Sequence, residues 1–238
     1  MILVESLKKD FVSPVLDFLY PPFCLSCGMQ LQAGEQLVCE ACWQSIEKVH
    51  EVDSIYEESN QKFSAEGVVS KFISPFCFEK ESKLQSIIHA LKYRGYTSLG
   101  VKAGLLVGQL IKEDEVLARA DYLIPVPLHR VKQRERGYNQ SEFICRGVEE
   151  VTKIPTRSGL LHRKKYTVSQ TQLSIEERKE NVGDAFQIKE RKREEIEGKS
   201  FILIDDVITT GSTINSCARE LKNAGAHSVF AAAIALAK

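Results

Sequence analysis

Between Phe201 and Thr213 the chain reads FILIDDVITTGST. Four consecutive apolar residues make a strand with no wet face, and such a strand is stable only in a sheet that helices cover on both sides. Asp205 and Asp206 stand at the C-terminal end of that strand, and the turn Thr209-Thr210-Gly211-Ser212-Thr213 leads directly into a helix. Strand, carboxylates, turn and helix in that order restrict the chain to an α/β domain with a mainly parallel sheet, whose ligands bind at the carboxyl edge.

The rest of the chain fits that class. Leu84, Ile87, Ile88 and Leu91 occupy one helical face, and Leu99, Ala103, Leu106, Val107 and Leu110 occupy another, predicting a helix from Leu99 to Lys112. YLIPVPL reads as a short strand that Pro125 and Pro127 push to a sheet edge or a loop mouth. Asn139 or Ser141 caps a helix facing the core through Phe143, Ile144, Val148 and Val151. SVFAAAIAL is a further strand, and GVVSKFISPFCFE a strand or hairpin.

The turn after Asp206 has a definite chemistry. Its backbone N–H groups, its hydroxyls and the positive helix end suit a phosphate monoester, Gly211 admits the anion without a Cβ, and two carboxylates suit vicinal ribose hydroxyls. The parts fit a sugar phosphate. Neither a Gly-Lys-Ser/Thr phosphate loop nor a G-x-G-x-x-G fingerprint is present. A plain capping turn would explain Ser212 or Thr213, but not two adjacent carboxylates beside a buried strand.

Near the N-terminus, Cys24 and Cys27 (FCLSCG) and Cys39 and Cys42 (VCEACW) form two C-x2-C pairs separated by eleven residues. Four thiolates at that spacing hold Zn2+ tetrahedrally with no open position, which makes the ion structural. This predicts a zinc ribbon over residues 21–50, preceded by a docking helix over 1–20 with Leu3, Leu7, Phe11 and Val15 on one face. A polar linker over 51–64 and the α/β domain over 65–238 follow. Cys77, Cys145 and Cys217 sit in apolar contexts and read as core thiols.

Composition excludes rather little: 43% apolar and 27% charged residues, with 32 basic against 32 acidic, describe a soluble protein whose surface as a whole is not built for nucleic acid. Charges at Glu5, Lys8, Lys9, Asp10 and Asp17 break the N-terminal apolar stretch, so no membrane span is expected, and unpaired cysteines suit a cytoplasmic location. Locally, His129, Arg130, Lys132, Arg134 and Arg136 face only Glu135.

In order, the four-cysteine ribbon, LKYRG, PVPLHRVKQRERGYNQS, QTQLSIEERKENVGDAF and IDDVITTGST resemble the ComF family, associated with DNA uptake in competent bacteria. The last motif is similar to the signature of type I phosphoribosyltransferases for 5-phosphoribosyl-1-pyrophosphate. The resemblance implies that Asp205 and Asp206 hold the ribose, with Mg2+ on the ligand. Thr209, Thr210, Gly211, Ser212 and Thr213 would hold its 5-phosphate, and the loop carrying His129, Arg130, Arg134 and Arg136 would meet the pyrophosphate. Lys164 to Asn181 matches a hood over the sugar, to which Gln170, Thr171, Arg178 and Asn181 contribute. No residue declares itself a general base; Glu142, Glu176 and Glu177 are the candidates.

Two functions follow from the resemblance. One is a Mg-dependent transferase with an open acceptor, acting in DNA uptake or nucleotide salvage. The other is a scaffold that keeps the sugar-phosphate site while ribbon and basic loops engage single-stranded DNA or a DNA-translocating helicase. Trp43, Tyr138 and Tyr166 are candidates for stacking on bases, although core packing is the favoured reading of these rings.

Overall fold

The computed structural model describes residues 21–49, 54–164 and 185–237. The helix expected over 1–20 lies outside the described residues, as do Tyr166, Gln170, Thr171, Glu176, Glu177, Arg178 and Asn181 of the expected hood.

In chain order the elements are α1 (Glu40–Gln44), α2 (Ser54–Glu66), β1 (Lys71–Ile73), β2 (Phe76–Phe78), α3 (Lys83–Tyr93) and α4 (Thr97–Glu113). Then come β3 (Tyr122–Pro125), α5 (Arg130–Arg136), α6 (Gln140–Thr152), β4 (Leu161–Arg163), β5 (Phe186–Ile188), β6 (Ser200–Ile208), α7 (Ser212–Asn223) and β7 (Ser228–Ala237). The main sheet runs β1-β7-β6-β3, β2 also pairs with β7, and every pairing in it is parallel. β4 and β5 form a separate antiparallel pair.

β6 lies inside the sheet because its apolar residues alternate between two cores. Ile202 and Ile204, with Phe230 and Ala232 of β7, pack with α3, α4 and α6. Phe201 and Leu203, with Val229 and Ala231, pack with Phe63, Phe72 and α7. A fully buried Ile, Leu or Phe contributes about 1.5–3 kcal/mol, so a one-residue slip would exchange both sets and is strongly disfavoured. β3 is an edge strand, which is why Pro125 is tolerated in it.

GVVSKFISPFCFE makes two short strands, both parallel to β7, instead of a hairpin. The stretch read as a linker holds α2. Its sequence has no broad apolar face, and Phe63 is the buried anchor, in ring contact with Phe72 at 5.0 Å between centroids.

The ribbon shares the first core. Cys24, Val38, Cys42, Trp43 and Ile46 cluster with α3 and α4. Trp43 is 4% exposed, lies 6.4 Å from the Phe76 ring, and has the Lys102 ammonium 5.4 Å from its own ring centre. It is a packing residue. Tyr138 is one too: its hydroxyl donates to the Leu91 carbonyl, and its ring meets Phe143 edge-on.

Candidate functional site

The two cysteine knuckles meet as their spacing predicts. Cys24 Sγ lies 3.8 Å from Cys42 Sγ, Cys27 Sγ lies 3.8 Å from Cys39 Sγ, and all four sulfurs fall within 4.8 Å of one another. A tetrahedron with metal–sulfur bonds of about 2.3 Å has edges of about 3.8 Å, so the donor set fits zinc. Without a cation the four could not all ionise. Burial pushes the Cys42 thiol up to about 12. Against the upward push of burial, backbone N–H groups of Cys27, Cys39 and Ser26 bring Cys24 down to about 6. A divalent ion removes that conflict by neutralising the sulfurs together.

At the other end of the chain, Asp205 and Asp206 lie within β6, which continues to Ile208 beside β7. Asp205 Oδ1 accepts the Asp206 N–H at 2.8 Å and the Ser141 hydroxyl at 3.4 Å. Asp206 is 4% exposed; its Oδ1 accepts the Val207 N–H at 2.8 Å, and its Oδ2 meets Lys92 Nζ at 2.8 Å. Lys92 belongs to LKYRG and Ser141 to GYNQS, so two of the segments that carry the family resemblance converge on the carboxylate pair. Neither contact has a local sequence signal.

Burial, and then the neighbouring Asp206 charge, push the Asp205 carboxyl up to about 7. The folded protein therefore holds a proton that the unfolded chain releases above the ordinary carboxylate range. This contribution is fully present below about pH 4 and is lost as pH rises through about 7. Asp205→Asn is expected to be more stable relative to wild type at about pH 8 than at about pH 5, read from urea midpoints at both values. A difference independent of pH would show an unshifted carboxyl.

The next turn carries Thr209 to Thr213 into α7. Gly211 adopts φ +74°, a conformation that L side chains rarely take, and a Cβ there would sit 3.0 Å from Phe63 Cε1 of α2. The helix read as a linker therefore packs directly beneath this loop. Thr210 Oγ1 and Ser212 Oγ are 2.9 Å apart, placing two hydroxyls at the N-terminus of α7, where amides and dipole favour an anion.

The basic stretch after β3 is a short helix. Arg130 and Arg134 stand on α5, which buries none of its residues, and His129 caps it with Nδ1 accepting the Val131 N–H at 3.2 Å. Arg136 turns inward: Nη1 donates to Gln140 Oε1, and its guanidinium lies 5.2 Å from the Tyr93 ring centre. Asn139 Nδ2 donates to the Val126 carbonyl at 3.0 Å, and its Oδ1 accepts the Ser141 N–H at 3.1 Å. One amide thus ties this loop to the start of α6.

The pair β4–β5 adds Arg163 and His162, which periodicity does not reveal. Burial lowers the pKa of Arg163, which also feels Cys217 and Asp205. Burial lowers that of His162 as well, followed by the charges of Lys189, Arg130 and Lys192. Glu142, in the first turn of α6, is half-buried.

The chain matches two known domains. The phosphoribosyl transferase domain matches residues 146–238, and the double zinc ribbon domain matches residues 15–52. Competence protein F of Haemophilus influenzae is 28% identical over 214 residues, covering 87% of this chain and 82% of that protein. Competence protein ComFC of Bacillus subtilis is 30% identical over 103 residues, 43% of this chain and 39% of that one. The chain is similar to ComF-type proteins. DNA utilization protein YhgH of Escherichia coli strain K12 is 30% identical over 149 residues, covering 61% of this chain and 64% of its own length. The fold is that of a type I phosphoribosyltransferase preceded by a four-cysteine ribbon. Among the described residues no helix is long and apolar enough to cross a membrane.

Proposed function

We propose that this protein binds 5-phosphoribosyl-1-pyrophosphate and transfers its phosphoribosyl group, in the handling of imported DNA or the salvage of its nucleotides. The observation that carries the reading is the carboxylate pair in the last four residues of the internal strand β6, with Lys92 on Asp206 and Ser141 on Asp205, followed by a hydroxyl-rich turn into the N-terminus of α7. Asp205 and Asp206 accept hydrogen bonds from the ribose hydroxyls, which requires the Lys92 ammonium to move off Asp206. Thr209, Thr210, Gly211, Ser212 and Thr213 hold the 5-phosphate. His129, Arg130, Arg134 and Arg136 meet the pyrophosphate, where guanidinium forks match its oxygens. Asp205 and Asp206 would also hold Mg2+ brought in with the ligand, and the ion would supply charge neutralisation for the leaving group.

In the transfer, the bond from the anomeric carbon to pyrophosphate breaks and its electron pair leaves on pyrophosphate. The acceptor nitrogen forms the new bond and passes its proton to the departing pyrophosphate. Excluding water is the hood's part in this reading, with Gln170, Thr171 and Arg178 contributing to it.

The names of the relatives, competence protein and DNA utilization protein, support a role in DNA uptake or use. α5 favours a second reading alongside it, because a helix with no buried residue presents Arg130, Lys132 and Arg134 to solvent as a nucleic-acid or helicase contact would.

Calorimetric titration of 5-phosphoribosyl-1-pyrophosphate with Mg2+ tests the first reading. Wild type is expected to bind, and Asp205→Asn with Asp206→Asn to lose at least about 100-fold in affinity, since each buried acceptor of a ribose hydroxyl contributes about 1.5–3 kcal/mol. No heat from the folded wild type, together with salt-sensitive binding of single-stranded DNA, would replace the transferase by the scaffold.

A further inference from the structure

We infer that α2 is the floor of the turn from Thr209 to Thr213, and that Phe63 is a positioning residue that acts on the 5-phosphate through Gly211. The inference rests on the sugar-phosphate reading above. It adds to the site a helix that neither matched domain contains, because the zinc ribbon match ends at residue 52 and the transferase match begins at residue 146.

α2 reaches the turn at two points on one helical face, three residues apart. The first is the buried ring of Phe63: a Cβ on Gly211 would lie 3.0 Å from its Cε1 and 3.2 Å from its Cζ. The second is Glu66, whose carboxylate meets Arg219 Nη1 of α7 at 3.3 Å. Arg219 Nη2 donates to Ser216 Oγ at 3.2 Å, and the Ser216 hydroxyl donates to the Ser212 carbonyl at 2.9 Å. One route ends on Gly211 and the other on its neighbour Ser212.

The ring cannot easily yield. It lies 5.0 Å from the Phe72 ring of β1, and Phe72 in turn stacks at 4.8 Å on Tyr56, in the first turn of α2. β1 is paired with β7 in the main sheet. Three rings in series therefore brace the underside of Gly211 against the sheet, and closely packed rings transmit a displacement instead of absorbing it.

A fixed backbone is what an anion at this turn requires. Gly211 at φ +74° caps α7, its carbonyl accepts the Asn215 N–H at 2.9 Å, and Thr210 and Ser212 on either side bring their hydroxyls within 2.9 Å of each other. Glycine takes either sign of φ about as readily, so its own preferences do not hold the two hydroxyls together. The Phe63 ring occupies the space beneath and restricts the turn to one arrangement. Donors set in place before the ligand arrives bind it more tightly than donors that must first be ordered.

The test is a double-mutant cycle read by calorimetric titration of ribose 5-phosphate into wild type, Phe63→Leu, Gly211→Ala and the two combined. Phe63→Leu should bind about tenfold more weakly than wild type under conditions where its urea transition shows it folded, a loss that a role in stability alone would not produce. Gly211→Ala should lose at least as much, and the double variant no more than Gly211→Ala alone, because the leucine leaves room for the Cβ. Should the leucine variant not fold, Phe63→Met, closer in volume, carries the same cycle. Wild-type affinity in the folded Phe63 variant, or losses that multiply in the double variant, overturn the assignment while the sugar-phosphate site stands. Failure of folded wild type to bind ribose 5-phosphate overturns the underlying reading, and the role of Phe63 with it.

Discussion

Stripping zinc from the protein with a strong chelator is expected to move the emission of Trp43 to the red and to abolish a cooperative unfolding transition for the ribbon. Trp43 is the chain's single tryptophan, so the signal reports this region alone. The effect is large because little else holds residues 21–49 together: their regular structure amounts to α1 and isolated bridges such as Phe23 with Gln30. Structural zinc supplies on the order of 10–16 kcal/mol in small zinc modules, comparable to the whole stability of a typical domain. Trp43 is 4% exposed because α1 starts within the second knuckle, with Cys39 as its cap and Cys42 on it, and turns the ring onto Phe76. Releasing the knuckles frees α1 and hydrates the ring. The ribbon also contributes Val38 and Ile46 to the core formed with α3 and α4, so the domain beneath should loosen as well. Purified protein should carry about one zinc per chain. Emission that stays put after complete zinc removal would mean that packing alone holds the ribbon.

Much of this architecture is legible in the sequence wherever one face of an element is buried. Leu84, Ile87, Ile88 and Leu91 mark α3, and FILI marks the central strand, because burial imposes a period on the residues. Where burial is slight, the signal disappears. α5 buries nothing and reads as a basic loop, and β4 and β5 have three residues each, too few to alternate detectably. α2 rests on Phe63, whose neighbour Gly211 lies far along the chain. The cysteine cluster and the carboxylate turn are local motifs and can be read directly. Lys92, Ser141, Gln140 and Arg163 reach the site through tertiary structure, and residue spacing carries no trace of a contact between Lys92 and Asp206. Gly100, Gly104 and Gly108, spaced by four, were an available signal of a different kind. Glycine is unfavourable inside a helix, and a stripe of it within α4 implies a backbone pressed against that face.

That close approach leads to the second large effect, expected for Gly147→Ala. A Cβ on Gly147 in α6 would lie 2.1 Å from the Val101 carbonyl oxygen and 2.7 Å from the Leu105 nitrogen of α4. Its counterpart on Gly104 would lie 2.2 Å from the Ile144 carbonyl oxygen. Here the obstacle is backbone, which cannot rotate aside as a side chain can, so the two helices must separate. Overpacking of side chains alone costs about 1–3 kcal/mol. Against backbone the loss should be ~3 kcal/mol or more, read as a lower urea midpoint and a melting temperature down by roughly 10 °C. The damage should reach the site as well. The N-terminal end of α6 carries Gln140 and Ser141, with Asn139 as its cap, and these position Arg136, the Asp205 carboxylate and the loop after β3. Ribose 5-phosphate affinity should therefore fall even at temperatures where the variant stays folded, because the hydroxyl facing Asp205 moves with its helix. An unfolding midpoint equal to that of wild type would show that α4 and α6 do not meet backbone to backbone. A lowered midpoint with intact affinity would show that the packing of α6 and the geometry of the carboxylate pair are independent.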